Sequence, residues 1–227
     1  MNKVAILVAG GKGTRMGAGT PKQFLELNGR PILMHTLEVF YSIDSRIELI
    51  VVLPEDQLSY WDKVVNESGF RIPHRRVIGG ASRFQSVKNG LQAVSFSEGL
   101  VAIHDGVRPF VAPEVVKASF EMAEQTGSAI PVIALKDSIR QVFPQGKSEF
   151  RDRQQYRLVQ TPQTFQLSKI RQAFLTPESD QFTDDATVYE YQGWEVTLIE
   201  GNPENIKITT PEDLDYAAYL LSKKGSR

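Results

Sequence analysis

Apolar residues in this chain come in short unbroken runs, separated by stretches with helical spacing. Val4–Ala9, Glu48–Leu53, Arg76–Ile78, Leu100–His104 and Ala129–Leu135 predict strands. Between them, Pro31–Ile43, Glu55–Glu67, Ser82–Val94 and Pro113–Gln125 predict helices. Leu33, Leu37 and Phe40 share one face of the first, and Pro31 and Pro113 suit a first helical position. A strand that is apolar throughout, rather than at every second residue, is buried on both faces. Alternation of such strands with helices predicts an α/β fold: one Rossmann-like three-layer α/β/α domain over residues 1–227, with a mainly parallel mixed sheet.

The stretch Lys136–Arg157 breaks this rhythm. It is polar, contains Pro144-Gln145-Gly146 and alternates from Ser138 to Phe143, so a two-stranded β-arm projecting from the body is expected over 136–157. Ile139, Val142 and Phe143 on such an arm need a covering surface, which makes the arm a dimerisation element. Helices then follow at Ser168–Phe174 and Thr183–Gln192, with Thr183 as N-cap of the second. Strands at Glu195–Ile199 and Asn205–Ile208 precede a last helix, Pro211–Ser222, opened by Thr210-Pro211-Glu212-Asp213.

Composition narrows the chemistry. Of 227 residues, 26 are Lys or Arg and 27 are Asp or Glu, a formal charge of −1. No global basic field recruits nucleic acid, and anion specificity must come from local clusters. With no cysteine, disulfides, thiolate metal sites and cysteine nucleophiles are excluded. The first apolar run is too short for a signal segment or a membrane span, so a cytoplasmic protein without a membrane partner is expected.

Ligands of parallel sheets bind beyond the carboxyl ends of strands. Directly after the first strand lie Ala9, Gly10, Gly11, Lys12, Gly13, Thr14, Arg15, Met16 and Gly17, with Lys22 beyond Pro21. Glycines let main-chain N–H groups approach an anion, and Arg15 and Lys22 can neutralise charge gathering on a transferred phosphoryl or nucleotidyl group. A Walker A loop needs Ser or Thr directly after its Gly-Lys pair, and Gly13 stands after Gly11-Lys12. The dinucleotide fingerprint fits poorly, since Gly17 comes one residue late. A second glycine turn, Gly79-Gly80-Ala81-Ser82-Arg83, leads into a helix that Ser82 can cap. His104 reads as a packed, hydrogen-bonded histidine, having no metal-ligand spacing with His35 or His74.

Gly10-Gly11-x-Gly13-Thr14-Arg15-Met16 followed by Pro21-Lys22-Gln23 resembles the signature of the sugar-nucleotide type of nucleotidyltransferases. Four further segments extend the likeness along the whole chain: His104-Asp105-Gly106-Val107-Arg108-Pro109, Gln160-Thr161-Pro162-Gln163, Thr183-Asp184-Asp185-Ala186 and Asn205-Ile206-Lys207-Ile208-Thr209. In this order they resemble the 2-C-methyl-D-erythritol 4-phosphate cytidylyltransferase family.

The resemblance implies CTP and a small phosphorylated polyol as substrates, a CDP-alcohol and pyrophosphate as products, and a homodimer through the arm. It implies Arg15 and Lys22 as the catalytic cations. Ala9, Gly10, Gly11, Gly13, Gly80, Arg83, Ser86, Asp105 and Gly106 would lie around the nucleotide. Asp105 would also attend Mg²⁺, which takes few carboxylates and keeps phosphates and waters. Arg153, Lys207, Ser138, Thr161, Thr183 and Arg108 would position the acceptor, with Arg153 serving the partner's site. Ala81-Ser82 stands where the family commonly carries an acid. A pentitol-phosphate cytidylyltransferase shares the nucleotide half and much of the acceptor half. That reading stays open at this point, as does a non-catalytic nucleotide-binding protein.

Overall fold

The computed structural model describes residues 1–10 and 20–224. In chain order the elements are β1 (Lys3–Val8), β2 (Glu26–Leu27), β3 (Arg30–Pro31), α1 (Ile32–Ile43), β4 (Glu48–Leu53), α2 (Glu55–Glu67), β5 (Arg75–Ile78), α3 (Arg83–Ala93), β6 (Leu100–Asp105), α4 (Pro113–Thr126) and β7 (Ser128–Ala134). There follow β8 (Ile139–Val142), β9 (Ser148–Arg151), β10 (Arg157–Val159), β11 (Gln163–Gln166), α5 (Leu167–Ala173), α6 (Asp185–Glu190), β12 (Leu198–Glu200) and α7 (Pro211–Lys224). The main sheet runs β10-β7-β11-β6-β1-β4-β5, with β12 also paired to β7. Its β6-β1-β4-β5 part is parallel, and β11 and β10 run antiparallel to their neighbours.

Successive side chains of the central strands enter opposite layers, as the pleat requires. Ala5, Leu7, Leu49, Val51 and Ala102 join one apolar cluster with Leu37 and Phe40 of α1 and Phe120 of α4. Val4, Ile6, Ile50, Val52, Val101 and Ile103 join the other, with Val87 and Leu91 of α3 and Ile170 of α5. These strands are continuously apolar because both faces are covered. The three-layer α/β expectation and its mixed sheet are met.

The arm is present as a β8–β9 hairpin, paired from Ile139↔Arg151 to Val142↔Ser148. Val142 is 73 % exposed and Phe150 66 %, while Ile139 and Phe143 are only partly so. Three local expectations are corrected. Asn205–Ile208 is irregular rather than a strand, because its polar groups pair with the turn after β6: Ile208 N–H donates to Val107 O (3.0 Å), and Arg108 Nη1 donates to Asn205 O (2.8 Å). The helix expected from Thr183 begins at Asp185. Its cap is Asp184, which accepts from Thr187 N in a reciprocal capping box. Finally, Pro31 precedes α1 instead of opening it.

Candidate active site

A cavity of about 370 Å³ opens at the carboxyl ends of β1, β5 and β6. Val8, Ala9, Gly10, Lys22, Gln23, Gly80, Ala81, Ser82, Arg83, Ser86, Asp105, Val107 and Lys207 line it. Sequence reasoning named Ala9, Gly10, Lys22, Gly80, Arg83, Ser86, Asp105 and Lys207 among these. Gly11, Gly13 and Arg15 lie outside the described residues.

The floor is made by ladder hydrogen bonds that outrun the strands. Ala9 N–H donates to Val52 O (2.9 Å) and Gly106 N–H to Val8 O (2.9 Å). A Cβ at Gly106 would stand 3.0 Å from Ala9 Cβ and 3.1 Å from Leu33 Cδ1, so the close approach of these two turns depends on glycine. Lys22 starts a single 3-10 turn, Lys22–Phe24, which is anchored on α2. Gln23 is fully buried and its Nε2 donates to Gln57 Oε1 (2.5 Å), while Phe24 stacks on Trp61 with ring centres 5.9 Å apart. Gln23 thus belongs to the site, and only its place beside Lys22 in the motif could have signalled it.

The second glycine turn is held from within. Gly79 N–H donates to Leu53 O (2.8 Å) and Gly80 N–H to Ser86 Oγ (3.1 Å). Ser86 Oγ–H donates to Ser82 O (2.8 Å), and Ser82 Oγ accepts from Gln85 N (3.0 Å). Ser82 is therefore the N-cap expected from sequence. An alanine Cβ at Gly80 would come within 2.2 Å of Gln85 Cβ, so the turn requires glycine.

Asp105 is the electrostatic centre. Its Oδ2 accepts from Arg108 Nε (2.9 Å) and lies 3.2 Å from Lys207 Nζ. Burial alone would raise the carboxyl pKa, but Lys207, Arg108 and Arg83 outweigh it and hold the group well below the ordinary carboxylate range. The backbone N–H of Asp105 donates to Thr161 Oγ1 (3.1 Å), which lies 2.9 Å from His104 Nδ1. His104 Nε2 faces the carbonyl of Arg108 at 3.0 Å, and burial pushes the imidazole pKa down to about 4, against the opposing pull of that carbonyl and of Asp105. A neutral ring that donates Nε2–H to a carbonyl must accept at Nδ1, so Thr161 donates its hydroxyl proton there. His104 is the packed histidine expected. The buried Thr161 hydroxyl accepts from the Asp105 backbone and gives its one proton to His104, so it has no free donor for the expected contact with an acceptor phosphate.

Arg83 faces the cavity, but its fork grips Asp185: Nη1 to Oδ1 at 2.9 Å and Nη2 to Oδ2 at 2.5 Å. Asp185 is fully buried; sequence reasoning places it only in the Thr183–Ala186 segment, with no contact assigned to it. Thr183, two residues before it, is exposed. Ser138 and Arg153 do not line the cavity within one chain. Both are exposed at the arm, and Arg153 Nη1 donates to Lys136 O near its base.

Among the described residues no three His, Cys, Asp or Glu side chains group as a ready metal cage. Asp105 contributes the cavity's one carboxylate among those lining residues. That donor set suits Mg²⁺, which a single carboxylate can hold together with substrate phosphates and water, and does not suit a metal needing an all-protein shell.

Comparison with known proteins agrees with this geometry. The family model "IspD: 2-C-methyl-D-erythritol 4-phosphate cytidylyltransferase" matches residues 3–223. The chain is 48 % identical over 221 residues to the protein of that name from Phocaeicola vulgatus, covering 97 % of this chain and 100 % of that one. With its namesake from Halalkalibacterium halodurans it is 39 % identical over 229 residues, covering 100 % of both chains. Two crystal structures are similar throughout. One is a 4-diphosphocytidyl-2C-methyl-D-erythritol synthase from Anaerococcus prevotii, with TM-score 0.84, 28 % identity, and 97 % of this chain and 96 % of that one covered. The other is a 2-C-methyl-D-erythritol 4-phosphate cytidylyltransferase from Thermus thermophilus, with TM-score 0.76, 32 % identity, and coverage of 97 % and 99 %.

Proposed function

Because the chain belongs to the 2-C-methyl-D-erythritol 4-phosphate cytidylyltransferase family, we propose that its cavity joins that phosphate to the cytidylyl group of CTP. The enzyme is a CTP-dependent nucleotidyltransferase of isoprenoid precursor synthesis by the non-mevalonate route. A phosphate oxygen of the acceptor attacks the α-phosphorus, a new P–O bond forms, and the bond to the bridging oxygen breaks to release pyrophosphate. The nucleophile is already an anion, so no general base is required. Catalysis consists of holding two repelling anions in line and neutralising the charge they accumulate. The convergence of Lys22, Lys207, Gly10 and the second glycine turn with Asp105 around one cavity carries this reading.

In this scheme Arg15 and Lys22 stabilise the transition state and the leaving pyrophosphate. Ala9, Gly10, Gly11 and Gly13, with the turn at Gly80 and Ser86, seat the nucleotide, and Gly106 permits the close packing of the turn after β6 against Ala9. Asp105, together with the substrate phosphates, would hold Mg²⁺, which would supply charge neutralisation there. Lys207, Thr183, Ser138 and Arg153 receive the acceptor, while Arg108 and Thr161 act by fixing Asp105. Incubating the enzyme with CTP and either 2-C-methyl-D-erythritol 4-phosphate or a pentitol 5-phosphate, and following pyrophosphate, tests the assignment. Release with the pentitol phosphate alone, or with neither, overturns it.

The enzyme works as a homodimer through the 136–157 arm, and Arg153 serves the partner's cavity. The exposed Val142 and Phe150, continued by the exposed Tyr156, Leu158 and Val159 around edge strand β10, support this. Mixing Arg153→Ala with Lys22→Ala subunits should then rebuild one intact site per heterodimer, restoring about a quarter of wild-type activity on random pairing. Two inactive variants that stay inactive when mixed would refute it.

A further inference from the structure

Arg83 is hard to explain by helix energetics. It opens α3, where a cation opposes the helix dipole, and that first turn carries no acid to compensate. Its explanation lies in the two-pronged bond to the fully buried Asp185, a geometry that lysine cannot reproduce. Ion pairs buried in this way add little net stability compared with apolar contacts, and their attested use is to fix one arrangement against others.

The neighbouring contacts say which arrangement. Phe84 stacks on Phe182, with ring centres 5.8 Å apart. Residues 83 and 84 therefore both bind the segment Phe182–Asp185 to the second glycine turn. On its far side that segment is pinned to β11, since Gln163 Nε2 donates to Asp184 Oδ2 (2.8 Å) and Gln163 Oε1 accepts from Ala186 N (2.9 Å). Thr183 lies between these anchors and is exposed. Arg83 is thus a rigid link between the turn that seats the nucleotide and the segment that meets the acceptor.

We propose that Arg83 is a positioning residue: through its fork on Asp185, seating of the nucleotide on residues 79–82 is transmitted to Phe182–Asp185 and tightens acceptor binding. This rests on the reading of Thr183 as an acceptor contact. It differs from the sequence expectation that Arg83 itself binds the nucleotide.

Calorimetric titration of 2-C-methyl-D-erythritol 4-phosphate, with and without a saturating α,β-methylene analogue of CTP, measures the coupling. The wild type should bind the acceptor about tenfold tighter with the analogue present, a normal scale for coupled sites. In Arg83→Lys and Asp185→Asn this factor should fall close to one, while affinity for the analogue alone changes by less than about threefold. Coupling retained in both variants overturns the inference. So does a loss of analogue affinity equal to the loss of acceptor affinity, which would make Arg83 a direct nucleotide ligand. Failure of both variants to unfold cooperatively would make the pair purely structural and overturn it too. A wild type that turns over CTP without any coupling removes this inference alone. A wild type that releases no pyrophosphate removes the cytidylyltransfer reading and the inference together.

Discussion

Replacing Asp105 by Asn should cost more stability than any loss of Lys207, although both belong to the same ion cluster. The asymmetry follows from burial. The Arg108 side chain is 14 % exposed and loses its counter-charge, whereas Lys207 is 41 % exposed and can turn to water. Breaking a buried pair by removing one partner costs about 3–5 kcal/mol. The asparagine oxygen can still accept from Arg108 Nε, which returns about 1 kcal/mol. A net loss of about 2–4 kcal/mol follows, or roughly 5–15 °C in Tm for a chain of this size. Lys207→Met should cost less than about 1 kcal/mol, the scale of a solvent-exposed pair. Thermal unfolding followed by circular dichroism measures both. Equal shifts, or an Asp105→Asn variant melting with the wild type, would refute the view that Asp105 neutralises a buried guanidinium.

Other outcomes are expected. Lys22→Ala and Arg15→Ala should each lower kcat about 10²–10³-fold, the cost of one transition-state donor, with cooperative unfolding kept; an unchanged kcat in a pyrophosphate-release assay excludes the role. Gly80→Ala drives a Cβ against Gln85 and should weaken CTP binding while costing about 1–3 kcal/mol, so wild-type calorimetric affinity would count against the turn as a nucleotide seat. Asp213 accepts from Thr209 N, Thr209 Oγ1 and Thr210 N at 2.8–2.9 Å, and these bonds outweigh burial in lowering its pKa below the ordinary 3.8. A lowered folded-state pKa contributes stability that is present above 3.8 and lost as the pH falls below it. Asp213→Asn should therefore cost about 1 kcal/mol at neutral pH in urea unfolding, and the gap should narrow progressively in acid; a gap that does not change with pH contradicts this.

The family resemblance supplied the roles of Gly80 and Asp105, while the layered α/β plan, the strand-end position of the site and the place of Lys22 beside a glycine-rich stretch could be read from residue order alone. Each is written in local pattern: apolar runs for strands covered on both faces, and glycines with cations where such strands stop. Strand β11 could not be read this way. Gln163, Thr164 and Gln166 look like a loop until Thr164 Oγ1 is seen donating to Ser119 (2.9 Å) and Gln163 is seen bonded to Asp184 and Ala186. Buried polar groups are tolerable only where partners exist, and these partners lie 21 to 45 residues away. The same distance hides the Arg83–Asp185 link, 102 residues apart, and the proton chain through Thr161 and His104. Local sequence pattern shows which side chains carry charge and where the backbone can turn; which charges meet depends on how the strands are ordered in the sheet, and no short stretch of chain encodes that order.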